Sequence, residues 1–110
     1  MKVVASPNAD CEVDRIRREM ADDNPKASEL FIEAYRETMR WIGEFPKSSQ
    51  VLFTSARGHE VRVRPIAGFP KLLAVYVITT NFVKIAHVVH GFSDWMRSIS
   101  QAFRPKREGT

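Results

Sequence analysis

Val83 to Trp95 reads VKIAHVVHGFSDW, and it gathers two imidazoles and a carboxylate around one break in the pattern: His87 and His90 before Gly91, Asp94 after it. Imidazole titrates near neutrality, so it serves as a general acid or base or as a metal ligand. Metal ligation is disfavoured by spacing. Residues three apart on a strand point to opposite faces, so His87 and His90 do not reach one ion without a bulge. Ser93, a histidine and Asp94 could be assembled into a nucleophilic triad, yet the stretch lacks a nucleophile elbow and any sign of an oxyanion hole. The chain contains no CxxC, no Gly-rich phosphate loop and no HExxH.

A second cluster is cationic. From His59 to Ile66 charge alternates with valine, which puts Glu60, Arg62 and Arg64 on one side and Val61 and Val63 on the other, as in a half-buried strand with a basic face. If the register lets His87 share that face, two guanidiniums beside an imidazole would suit binding a phosphodiester and cleaving it by acid–base chemistry. The simpler reading is that these arginines pair with helix acids or meet a protein partner. Of the aromatic residues, Trp41, Trp95, Phe31 and Phe45 fall at helix or strand-end positions, where a core role is commoner than base stacking.

The elements that would position these groups follow from periodicity. Lys2 to Ala5 is short and β-prone. Ser6-Pro7 reads as a helix start, with Ser6 as N-cap and Pro7 at the first helical position. Ala9, Val13, Ile16 and Met20 then recur at helical spacing as far as Asn24-Pro25, where Asn24 caps the next helix. That helix runs from Pro25 to Glu44 with an apolar face of Ala27, Leu30, Phe31, Ala34, Tyr35, Trp41 and Ile42, and it ends at Gly43 and Pro46. Glu33 to Arg36 and Glu37 to Arg40 are spaced to interact. With almost no loop between them the helices form an antiparallel hairpin. The period then falls to two. Val51 to Phe53 is a short extended piece in the connector. Strands are expected over His59 to Ile66, Leu72 to Thr79 and Phe82 to His90, joined by turns at Gly68-Phe69-Pro70 and Thr80-Asn81, where Asn tolerates a left-handed backbone. The fold class is α+β: a helical hairpin packed on a small antiparallel β-sheet, in the order β-α-α-β-β-β, with Lys2 to Ala5 available as an extra strand.

Composition sets the outer bounds. The 110 residues are 44% hydrophobic and 27% charged, as in one folded domain, expected over 1–96 with a basic C-terminal extension over 97–110. The lone Cys11 has no internal disulfide partner, which favours a reducing compartment. No leader and no membrane-spanning run is apparent, so the expected location is the cytoplasm. Net charge is +4, unevenly placed: 8 basic and 10 acidic residues through Lys47, then 9 basic and 3 acidic. The second half thus suits an acidic or polyanionic partner, or simply presents an ordinary solvated basic face.

Several pieces, in order, resemble the RelE/ParE superfamily of bacterial type II toxin–antitoxin toxins. They are Ser6-Pro7-x-Ala9, Asp23-Asn24-Pro25-Lys26-Ala27, Phe45-Pro46, Arg62 to Arg64, Gly68-Phe69, Val75-Tyr76, and Val83-x-Ile85-x-His87-Val88-Val89-His90-Gly91-x-x-Asp94, and they span Ser6 to Asp94. The family pattern usually has arginine where this chain has His87, and often where it has Ser93. The resemblance implies a toxin held inactive in a hetero-oligomer with a cognate antitoxin, itself commonly DNA-binding and ParD-like. ParE-like members poison DNA gyrase and need no nuclease site. RelE-like members cut messenger RNA on the ribosome, with a cluster of Lys or Arg, a His or Glu, and often a Tyr near the C-terminus. This chain has no tyrosine after Tyr76, and Lys47 is the only lysine between Lys26 and Lys71, which favours the ParE-like branch. The expected target or antitoxin surface is Arg62, Arg64, Arg97, Arg104, Lys106 and Arg107; a nuclease would instead draw on His87, His90, Arg62 and Arg64. No cofactor or metal is expected.

Overall fold

The structure, a computed structural model, describes residues 1–91. Its elements run β1 (Lys2–Ala5), α1 (Pro7–Asp23), α2 (Pro25–Glu44), β2 (Gln50–Thr54), β3 (Glu60–Ile66), β4 (Phe69–Ile78) and β5 (Phe82–His90). The fold is α+β, two helices packed on one five-stranded mixed sheet of order β1-β5-β4-β3-β2. β1 lies parallel to β5, and the other neighbours are antiparallel. The connector piece is therefore a full edge strand, one residue longer at each end than the sequence suggests.

Both helix starts are capped as their sequences dictate. The Ser6 hydroxyl accepts from the Ala9 amide at 3.0 Å and donates to the Ala86 carbonyl at 2.8 Å, so one side chain caps α1 and ties it to β5. The Asn24 side-chain carbonyl accepts from the Ala27 amide at 3.2 Å. Helices α1 and α2 lay Ala9, Val13, Ile16, Phe31, Tyr35 and Ile42 on the sheet face formed by Ile66, Leu72, Ala74, Tyr76, Val83, Ile85 and Val88. Burying each large apolar side chain contributes about 1.5–3 kcal/mol, so this layer is the main source of stability. Leu30, placed by periodicity on the apolar face of α2, is instead 51% exposed. Thr38 takes a core position because its hydroxyl has two partners: it donates to the Ala34 carbonyl at 2.7 Å and accepts from the Ala67 amide at 3.1 Å, pinning the β3–β4 turn under α2.

Three local expectations change. The β3–β4 turn is Ala67-Gly68, with Gly68 at φ +80, and β4 begins at Phe69, so Pro70 lies inside a strand. Pro65 is accommodated where the β3–β4 register shifts, since a bulge releases the ladder bond that proline lacks. Asn81 is not left-handed, because every positive φ among the described residues belongs to a glycine. The β4–β5 turn is closed by Thr79, whose hydroxyl and amide both bond to the Phe82 carbonyl.

β3 carries the largest correction. Its valines do not face the helices. Val61 and Val63 join Leu73, Val75 and Val77 in a second apolar cluster on the opposite side of the sheet, and Arg62 and Arg64 point toward the helix layer. Both faces of β3 are largely covered, so it is not a half-buried strand with a free basic face.

Candidate functional site

Arg62 sits in the middle of β3, paired with Val51 on one side and Tyr76 on the other, and is 7% exposed. One terminal nitrogen donates to the Lys47 carbonyl at 3.0 Å and the Ser49 carbonyl at 2.7 Å; the other donates to Glu60 Oε1 at 2.6 Å. Next to it the Tyr76 hydroxyl donates to the Pro46 carbonyl at 2.7 Å. Burial pushes the Tyr76 hydroxyl up from its ordinary pKa, against the pull of Ser49, Arg62 and Arg64. Together these two side chains serve carbonyls at 46, 47 and 49. They hold the Pro46–Ser49 connector against the sheet, a segment whose carbonyls would otherwise lack partners as the chain leaves α2. Arg62 is thus withdrawn from the expected contact surface: both terminal nitrogens are engaged internally, and its Nε is buried without a partner among the described residues.

Arg64 is held differently. Its guanidinium carbon lies 3.4 Å from the centroid of the Trp41 ring, a cation–π stack against α2, and Trp41 in turn packs on Phe45 with ring centroids 5.4 Å apart. A small cleft of about 150 Å³ opens beside this stack, between Glu37, Trp41 and Pro65. Arg64 remains half-buried and can still be touched from outside.

Register decides whether an imidazole joins these cations. His87 is opposite Val75, and Val75 is opposite Val63. Cross-strand partners share a face, so His87 belongs to the side that carries Val63. Arg62 is opposite Tyr76 and Arg64 opposite Ala74, both on the helix side. The sheet therefore separates His87 from Arg62 and Arg64. His87 Nδ1 instead lies 3.3 Å from both carboxylate oxygens of Glu12, and Glu12 Oε1 also accepts from the Val88 amide at 3.0 Å. The reason is topological: β1 pairs with β5 only as far as Ile85, and past that point the α1 carboxylate takes the place of a strand neighbour. Sequence periodicity gave no sign of this role for Glu12. His90, opposite Leu72, lines a cleft of about 340 Å³ with Arg15, Ile16, Glu19, Met20 and Asp23 of α1. The two histidines are on opposite faces, as strand spacing implies.

The proposed nuclease set of His87, His90, Arg62 and Arg64 is thus spread over three separate places. Among the described residues no group of three or more His, Cys, Asp or Glu could hold a metal ion. Ser93, Asp94, Arg97, Arg104, Lys106 and Arg107 lie outside the described residues, as does the expected 97–110 extension. Cys11 is exposed, and among the described residues no helix is long and apolar enough to cross a membrane. No protein-family model matches the sequence, and no curated protein matches it.

One groove remains that sequence reading did not anticipate. It has a volume of about 710 Å³ and runs between the C-terminal half of α2 and β1. Gly43 makes it possible: a Cβ there would stand 2.9 Å from the Met1 carbonyl oxygen and 3.0 Å from Val3 Cγ2, so only glycine lets β1 approach this closely.

Proposed function

We propose that this chain is the toxin of a type II toxin–antitoxin pair and works in the ParE-like manner, by binding DNA gyrase rather than by cutting RNA, until a cognate antitoxin covers it in the cytoplasm. The fold is compatible with this reading: a leading strand, a helical hairpin capped at Ser6 and Asn24, and a sheet built on the hairpin's apolar side, with β2 added to the strand, two helices and three strands that the resemblance implies. The observation that carries the choice of branch is the β3–β4–β5 register. Cleavage of a phosphodiester needs cations and an acid–base group converging on one phosphate. Here His87 is across the sheet from Arg62 and Arg64. Binding to a protein needs no such convergence. Arg64 is kept as a candidate for the contact surface, Arg62 is removed, and Arg97, Arg104, Lys106 and Arg107 stay as sequence-based candidates outside the described residues.

Expression of the chain alone in growing bacteria tests the reading. The expected result is growth arrest with gyrase-trapped DNA breaks appearing before any loss of intact messenger RNA. Cut messenger RNA appearing first would replace this reading with the ribosome-dependent endoribonuclease. Harmless expression would remove both.

A further inference from the structure

We propose that the groove between α2 and β1 is the seat of an acidic, apolar-bearing segment of a partner polypeptide. The inference rests on the toxin reading only in naming that partner as the antitoxin. The floor of the groove is apolar: Val3 and Met39 are partly buried, whereas Met1 and Phe45, at 52% and 48% exposed, present large apolar side chains at its edge. Its rim carries Arg36 and Arg40, one turn apart on α2 and both exposed. The spacing of Glu33 to Arg36 and Glu37 to Arg40 permits ion pairs within α2, but none forms. The ion pairs of the described residues belong to Arg15, Arg17 and Arg18 of α1, to Arg62 and to His87. The contrast between the two helices matters: α1 neutralises its own arginines, while α2 leaves two guanidiniums beside exposed methionine and phenylalanine. Glu44 stands at the same rim, one turn beyond Arg40. It repels a carboxylate there, so a bound segment places its acidic part toward Arg36 and its apolar part toward Phe45. β1 has β5 as its only strand neighbour, so no further strand of the described residues closes the groove from the sheet side.

The probe is a fluorescein-labelled synthetic peptide of alternating glutamate and leucine, titrated with the full chain and followed by fluorescence anisotropy. A lysine–leucine peptide and a glutamate–serine peptide serve as controls. Saturable binding of the first peptide alone is expected. Reversing both exposed charges, Arg36→Glu with Arg40→Glu, should weaken it by about tenfold or more and admit the lysine–leucine peptide, because each surface pair contributes modestly and reversal turns attraction into repulsion. Met39→Asp should weaken it independently, and unchanged thermal midpoints show that the variants are folded. No saturable binding, equal binding of the lysine–leucine peptide, or affinity unmoved by the variants would overturn the proposal. So would dimerisation of the chain abolished by the same variants, which would make a second copy the occupant. Co-expression with the protein encoded beside it separates the two readings. Killing that is rescued equally well from wild type and the double variant sinks the groove and leaves the toxin reading standing. Peptide binding without killing does the reverse.

Discussion

Replacing Arg62 by alanine should unfold much of what a surface arginine would leave untouched. The guanidinium is nearly buried and makes three hydrogen bonds, two to the main-chain carbonyls of Lys47 and Ser49 and one to Glu60. Glu60 is half exposed, so its ion pair is discounted for solvent and adds little. The two carbonyls dominate. The Ser49 carbonyl loses a charged donor in a buried setting and the Lys47 carbonyl in a part-buried one, at about 1–2 kcal/mol apiece, and the vacated volume adds to that. The expected loss is about 2–4 kcal/mol, on the order of 10–25 °C in melting temperature for a domain of this size. Urea unfolding followed by circular dichroism measures it, with the midpoint falling at constant slope. Arg62→Lys should recover only part of the loss, because one ammonium cannot span both carbonyls and the carboxylate. A change in stability under about 0.5 kcal/mol, together with weakened binding to a partner of the kind proposed above, would refute the reasoning and return Arg62 to the contact surface.

The Tyr35 hydroxyl is buried and has no hydrogen-bond partner among the described residues. Burial, helped by Asp10, pushes its pKa up to about 12. The folded state keeps its proton while the unfolded chain ionises near pH 10. The Tyr35 contribution to stability is therefore level below about pH 10 and falls by ~3 kcal/mol at most as pH rises toward 12. Tyr35→Phe should remove that share of the alkaline loss, leaving the part that the raised Tyr76 hydroxyl contributes, and leave neutral stability equal or higher, as pH-dependent urea unfolding will show. Glu12→Ala should strip the Val88 amide of its acceptor, costing about 1–2 kcal/mol, with hydrogen exchange accelerated most at Val88. Gly43→Ala should destabilise the fold despite the usual helix gain of about 1 kcal/mol, because its Cβ meets the Met1 carbonyl and Val3. An increase in thermal midpoint would contradict the close packing of β1 on α2.

Much of this fold is written locally. Ser6-Pro7 and Asn24-Pro25 place two helix starts because a side-chain acceptor followed by proline satisfies the orphan amides of a first turn. The loss of helical spacing after Pro46 and the onset of alternation at β3 mark the change to sheet. The candidate site was less legible. Alternation along β3 shows that Arg62 and Arg64 oppose Val61 and Val63, but not which set meets the helices. Both sides of this sheet carry apolar residues, so pattern alone has no reference for the inside. An arginine paired with main-chain carbonyls is as buried as a valine, and those carbonyls come from a connector without a motif of its own.

The sequence by itself determined the order of the two helices and of the three strands β3, β4 and β5, the two caps and the opposite facing of His87 and His90, since each follows from bonds or spacing within a few residues. Only tertiary structure decided the rest. Pairing His87 with Val75, Val75 with Val63 and Arg62 with Tyr76 depends on strand register across the sheet, and register sets which distant residues share a face. The same holds for Glu12 at the edge of β5 and for the groove beneath Arg36 and Arg40. Both arise where elements far apart in the chain meet, at distances that no local period encodes.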